Sequence, residues 1–103
     1  QVSDERLKQN IYTISQSLDK ILDLRPTKYV WKKNKKQDVG FIAQEVEKII
    51  PEVVEESRGF INDDSQIKNM KTISYPKLIP YLVDTIQVLV KRIEDLEERF
   101  VKK

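Results

Sequence analysis

The sequence predicts an α+β fold: a small, mostly helical body, two β-hairpin arms and a long C-terminal helix patterned for a coiled coil. Three observations predict it. Residues 28–42 and 53–74 each hold β-prone runs on either side of a polar, turn-forming centre. Short stretches of good helix formers precede and separate them. From Ile79 onward, apolar residues recur at intervals of three and four.

The 103 residues suit one domain with a modest core. Net charge is +2, from 19 basic and 17 acidic residues, too balanced to make nucleic acid the main partner. No stretch approaches the roughly 20 apolar residues of a membrane span, so no membrane role is expected. No signal peptide is visible, and the missing N-terminal Met fits a piece of a longer polypeptide. The chain has neither Cys nor His. That excludes disulfides, thiol nucleophiles, Ser-His-Asp chemistry and almost all zinc chemistry. Catalysis would fall to carboxylates, or to Ser or Thr activated by Lys.

Residues 3–13 are polar apart from Leu7, Ile11 and Tyr12. They read as a helix start, with Ser3 as N-cap and Asp4 and Glu5 near the positive end of the dipole. The capping box is incomplete, because Arg6 stands where Glu or Gln would complete it. Residues 15–24 read as a short helix. Ile14, Leu18, Ile21 and Leu22 fall on one face, Ser15 or Ser17 can cap it, and Pro26 stops it.

Lys28 to Lys32 alternate as a strand with Tyr29 and Trp31 facing the core, Asn34 to Gln37 form a turn, and Val39 to Ile42 form the return strand. Residues 43–50 are helix formers ended by Pro51. In the second hairpin Val53 and Val54 open one arm, Ile67 to Ile73 alternate in the other, and Asn62-Asp63-Asp64-Ser65 lies at the projecting tip.

The last segment is the most regular. Ile79, Leu82, Ile86, Leu89, Ile93, Leu96 and Phe100 are spaced 3, 4, 3, 4, 3, 4, which places Ile or Phe at a and Leu at d. Ser74 and Pro76 suit the start, and Pro80 confines the regular helix to begin near it. Val83 and Val90 at e widen the upper half, which is expected to pack on the domain body while the lower half joins copies of itself. Arg92 at g and Glu97 at the following e can pair between parallel helices. Ile at a with Leu at d favours two strands, so the heptad alone leaves dimer and trimer open.

Other candidate sites are weak. Lys28, Lys32, Lys33, Lys35 and Lys36 surround two aromatics, which would suit nucleic-acid stacking. The expected reading is a solvated hairpin tip, which could also guide docking on an acidic partner, and nucleic acid is not the expected partner. Glu45, Glu47, Glu52, Glu55 and Glu56 lack a converging spacing. Asn62 to Ser65 lack the alternation and distal Glu of a calcium loop, so no metal and no cofactor are expected.

Ser3 and Lys8 form the remaining nucleophile–base pairing. On a continuous helix a spacing of five puts them about 140° apart, so they would not face each other. The pairing needs an extended or turning backbone at Ser3, with Lys8 reaching back. It also needs a neutral amine, which burial or a neighbouring cation such as Arg6 would favour.

Several landmarks occur in a fixed order: Ser3-Asp4-x-Arg6-Leu7-Lys8-x-Asn10-Ile11, then Tyr29-x-Trp31, Gly40-Phe41-Ile42-Ala43-Gln44-Glu45-Val46, Pro51-Glu52-x-Val54 and Ile73-x-Tyr75-x-x-Leu78-Ile79-Pro80-x-Leu82. Along nearly its whole length the chain resembles the self-cleaving intramolecular chaperone domain of phage tailspikes and tail fibres. Endosialidase tailspikes and neck appendage proteins carry it, and myelin regulatory factor has a related domain.

The resemblance implies a homotrimeric coiled coil that holds three chains in register while an upstream β-rich stalk of the same polypeptide folds. The domain then releases itself by cutting at Val2–Ser3, with Ser3 as nucleophile and Lys8 as base in a Ser-Lys dyad. Asp4, Arg6 and Asn10 match the motif and are implied as support, with Gln44 a weaker candidate. On this reading residues 1–2 are a stalk remnant, 3–74 the body and hairpin arms, and 75–103 the coiled-coil helix. The precursor would fold in the bacterial host cytoplasm. A non-cleaving trimerisation cap of a fibre protein is the alternative.

Overall fold

The computed structural model describes residues 1–60 and 66–101. The expected tip at Asn62-Asp63-Asp64-Ser65 lies outside the described residues.

The first 16 residues are exposed throughout and contain one 3₁₀ turn, Glu5–Leu7, where a longer helix start was expected. Helix α1 follows at Ser17–Asp23. Neither Ser15 nor Ser17 caps it. The N-cap is Gln16, in the left-handed region at φ 62° and without a side-chain cap bond. The missing acceptor comes from far along the chain: the Ser17 amide donates to Asp84 Oδ2 at 3.3 Å. Backbone donors at a helix start need a partner, and tertiary packing supplies one where the local sequence does not.

Strand β1, Thr27–Val30, pairs antiparallel with β2, Gln37–Gly40, in the register Thr27↔Gly40 to Val30↔Gln37. The return strand thus begins two residues before the expected Val39. The Asn34 side chain accepts from the Lys36 amide, and Lys35 takes the left-handed conformation at φ 60°. This is the Asx-type turn that Asn favours. Tyr29 is half-buried, but Trp31 is exposed, with its indole Nε1–H donating to Asp38 at 3.2 Å.

Helix α2, Ala43–Ile49, carries Val46 on its inner face, with Ile50 one turn further on. Both are fully buried, along with Val53 from the 3₁₀ turn Pro51–Val53. Leu78 completes this core, and Leu24, Phe41, Ile49, Val54, Ile73 and Tyr81 pack around it. The second hairpin pairs β3, Val54–Phe60, with β4, Gln66–Ile73, and has a register irregularity between Ser57 and Gly59. Lys71 on β4 bridges Glu47 of α2 at 3.0 Å and Glu56 of β3. The hairpin is thereby tied to the helix it lies on.

A 3₁₀ turn, Tyr75–Leu78, leads into helix α3, Ile79–Val101, of 23 residues. Pro80 is its second residue, inside the first turn, where a missing amide hydrogen costs nothing. Packing on α3 differs from expectation. The half-buried or buried positions are Tyr81, Asp84, Thr85 and Val88, spaced 3, 1 and 3, and α1 packs against this helix. Lys20 of α1 lies over the Tyr81 ring, 5.7 Å from its centroid. The body therefore takes the c, f and g positions. The seam residues Ile79 to Phe100 remain 41–73% exposed, and Val83 and Val90 at e are each 46% exposed. An amphipathic helix that packed its heptad face on its own domain would hide that face. This one does not.

Candidate self-cleavage site

The 3₁₀ turn at Glu5–Leu7 brings together two residues that a helix would separate. The Lys8 amide donates to the Glu5 carbonyl at 3.0 Å and closes the turn. Lys8 itself is extended, at φ −117° and ψ 151°, so its side chain swings back along the segment. Its Nζ donates to Ser3 Oγ at 2.7 Å. A spacing of five becomes a hydrogen bond because the backbone turns once and then straightens.

Asp4, not Ser3, caps this turn: its Oδ1 accepts from the Arg6 amide at 2.9 Å. Asp caps as well as Ser does. Placing the cap one residue later leaves the Ser3 hydroxyl free to meet Lys8. The Arg6 guanidinium also grips the same carboxylate, Nε to Oδ1 at 3.1 Å and Nη2 to Oδ2 at 2.8 Å. These bonds from Arg6, side chain first and then backbone, hold the Asp4 carboxyl below its usual range, and Asp4 raises Arg6 in turn. Arg6 is thus committed to Asp4.

Asn10 follows in the left-handed region at φ 52°, a conformation Asn tolerates, and turns the chain beyond Lys8. Gln44 is placed elsewhere. It lies on α2 and lines an open cleft of about 500 Å³ with Tyr29, Trp31, Phe41, Lys71 and Tyr75. Among the described residues it hydrogen-bonds to neither Ser3 nor Lys8, so a single chain does not bring it to the dyad. The cleft holds two aromatic pairs. Tyr29 and Trp31 meet edge-to-face at 5.0 Å between centroids, and Phe41 and Tyr75 lie tilted at 6.1 Å. Burial, then the Asp38 carboxylate and Tyr75, push the Tyr29 hydroxyl up. Among the described residues no cluster of carboxylates could hold a metal ion.

Residues 3–55 match the model of the peptidase S74 family, described as chaperone of endosialidase. The chain belongs to this family. The matched span opens on Ser3 and takes in Lys8, the first hairpin and α2. Along 96% of its length the chaperone domain is also similar to the long tail fibre protein Gp37 of Enterobacteria phages K3 and T2, with 29% identity to each. It spans only 8% and 7% of those proteins. Among solved structures it is similar to a crystal structure of a novel intramolecular chaperon. That match has a TM-score of 0.61 and 17% identity, and covers 87% of this chain and 99% of the other. The likeness establishes the shared fold of hairpins and long terminal helix.

Proposed function

We propose that this chaperone domain assembles as a homotrimer through α3, assists folding of an upstream β-rich stalk in a phage fibre precursor, and then releases itself at Val2–Ser3. The observation that carries the cleavage reading is the 2.7 Å bond between Lys8 Nζ and Ser3 Oγ. The observation that carries assembly is the exposed a/d seam.

The chemistry needs only these groups and one water. With Lys8 neutral, the hydrogen bond reverses, and Nζ takes the Oγ proton as Oγ attacks the Val2 carbonyl carbon. That carbon is bonded to the nitrogen of Ser3 itself, so the attack closes a five-membered ring and gains the advantage of an intramolecular reaction. As the C–N bond breaks, Lys8 returns the proton to the leaving Ser3 amine. Val2 is left esterified to Oγ. A water then hydrolyses the ester, freeing the Val2 carboxylate and restoring the Ser3 hydroxyl. Each chain turns over once.

Trimerisation fits the same scheme. Interleaving three β-rich chains is slow because its contacts are non-local. A coiled coil raises the local concentration of the three stalk ends. Cleavage then removes the chaperone and leaves the stalk behind a kinetic barrier. The host cytoplasm is the expected place of folding and the fibre the destination of the stalk, following the tail fibre relatives.

In a precursor carrying its native upstream residues, the wild type releases a fragment of this size and Ser3→Ala does not. Release by Ser3→Ala would sink the dyad. Trimers that release no fragment even as wild type would instead establish the non-cleaving cap.

A further inference from the structure

We infer that Asp4 and Arg6 are positioning residues of the self-cleavage site: their carboxylate–guanidinium clip closes the turn that carries the Lys8 amine to the Ser3 hydroxyl. The inference rests on the self-cleavage reading and specifies what holds that site in shape.

Among the described residues no hydrogen bond ties Ser3 or Lys8 to the body. Residues 1–16 are exposed along their whole length, so packing does not fix the conformation of residues 3–8. A lone 3₁₀ turn has little cohesion of its own, because fixing the first turn of a helix costs more than its one hydrogen bond returns. Yet the Ser3–Lys8 contact exists only while that turn is closed, since it depends on Lys8 leaving the turn in an extended conformation.

The Asp4 carboxylate is placed to hold it. Among the described residues it accepts three hydrogen bonds, all from Arg6: the amide, Nε and Nη2. The amide bond caps the first residues of the turn. The two guanidinium bonds form the bidentate fork that fixes orientation as well as distance. Arg6 lies between the two dyad residues in sequence, so locking it to Asp4 locks the path from Ser3 to Lys8. An exposed ion pair adds little to global stability. Here its effect is local, on the fraction of chains whose dyad is assembled. Misplacing a reacting group by about 1 Å costs on the order of a hundredfold in rate, so partial opening of the turn should be visible in kinetics while leaving the fold intact.

The test measures single-turnover fragment release from the full precursor as a function of pH. Variants are Asp4→Ala, Arg6→Ala, the double variant, Asp4→Asn and Ser3→Ala. Each single Ala variant should lower the plateau rate roughly tenfold and leave the pH midpoint in place. The double variant should be no slower than either single one, because each residue acts through the other. Asp4→Asn should recover part of the loss, since its Oδ1 still accepts from the Arg6 amide. Unchanged circular dichroism and oligomeric state are expected, because the segment lies off the core. Wild-type rates in both Ala variants would overturn the clip. So would a moved pH midpoint with an unchanged plateau, which would assign the pair to the dyad's charge rather than its position. Release by Ser3→Ala is a separate outcome, which removes the self-cleavage reading itself.

Discussion

The Tyr75 hydroxyl accepts a hydrogen bond from the Phe41 amide at 3.2 Å, pinning the end of the first hairpin to the turn that launches α3. The contact requires Gly40 beside it. A Cβ on Gly40 would lie 2.6 Å from that hydroxyl and 3.4 Å from the hydroxyl of Tyr29. Gly40→Ala should therefore destabilise by roughly 1–3 kcal/mol, the usual penalty for overpacking. Tyr75→Phe should cost about 1 kcal/mol through the lost bond. The two should not add, because removing the hydroxyl also removes the obstacle. Denaturant unfolding of both single variants and the double variant, at one protein concentration, checks this. Additive losses would mean that the methyl group meets something other than Tyr75.

A second long-range link joins the start of α1 to the terminal helix. Asp84 of α3 supplies the acceptor for the Ser17 amide at the start of α1. Asp84→Ala should cost about 1 kcal/mol, as for other lost N-caps. Asp84→Asn, which keeps an acceptor, should cost less. Hydrogen exchange at the Ser17 amide reports the effect directly. Equal protection in wild type and Asp84→Ala would show that the bond is not formed in solution.

These links mark the boundary between what the sequence shows and what it hides. The helices, both hairpins and the long terminal helix follow from local patterns: alternation around a turn, apolar periodicity, and proline after Ile50. The seam was readable because a heptad repeats. The cap of α1 was not, because its acceptor lies 67 residues away, and no local rule marks Asp84. The body's hold on the c, f and g face of α3 was hidden for the same reason. At the dyad, helix geometry argued against the Ser3–Lys8 pair, and one residue reversed the outcome. Asp4 caps as readily as Ser3, and a cap there turns the backbone one residue later. The signal was present as Asp-x-Arg directly after the serine, a carboxylate and a guanidinium close enough to close a turn.

The ion pairs that tie the second hairpin to α2 predict an alkaline loss of stability. The carboxylates of Glu56 and then Glu47 hold the Lys71 amine above its usual range. A group raised in the folded state contributes stability that is fully present below its unfolded value and fades as pH rises through its folded one. The wild type should thus lose part of its thermal stability on the alkaline side of the ordinary lysine range. Lys71→Met should lose less over the same interval. Arg25 acts in the opposite sense on Glu45, holding its carboxyl below the usual range by hydrogen bonding, so that contribution fades as acid takes pH down through the folded value. Melting temperatures across pH for wild type and Lys71→Met separate the two limbs. Parallel alkaline limbs would show that the Lys71 bridges contribute nothing in solution.

The seam on α3 makes the most consequential prediction for assembly. Its residues are about half exposed from Ile79 to Phe100, and the upper half is broadened by Val83 and Val90. A narrow a/d stripe suits one neighbour. A stripe that extends onto e gives a helix apolar surface for two, which favours three strands despite the Ile and Leu pattern. Ile86→Glu puts a charge in the centre of this face, where burial without a partner is costly. The folded core does not depend on that face. Val46, Ile50, Val53 and Leu78 bury one another, and Tyr81, Asp84 and Thr85 point toward the body. The variant should therefore sediment as a monomer that keeps its hairpin signal in circular dichroism, with fraying confined to the lower turns of α3. The wild type should sediment as a trimer. A wild-type dimer would restore the simple reading of Ile at a and Leu at d. A trimer that survives Ile86→Glu would move the interface off the seam, to another exposed apolar feature such as the aromatic cleft beside Trp31 or Leu7, Ile11 and Tyr12 of the N-terminal segment.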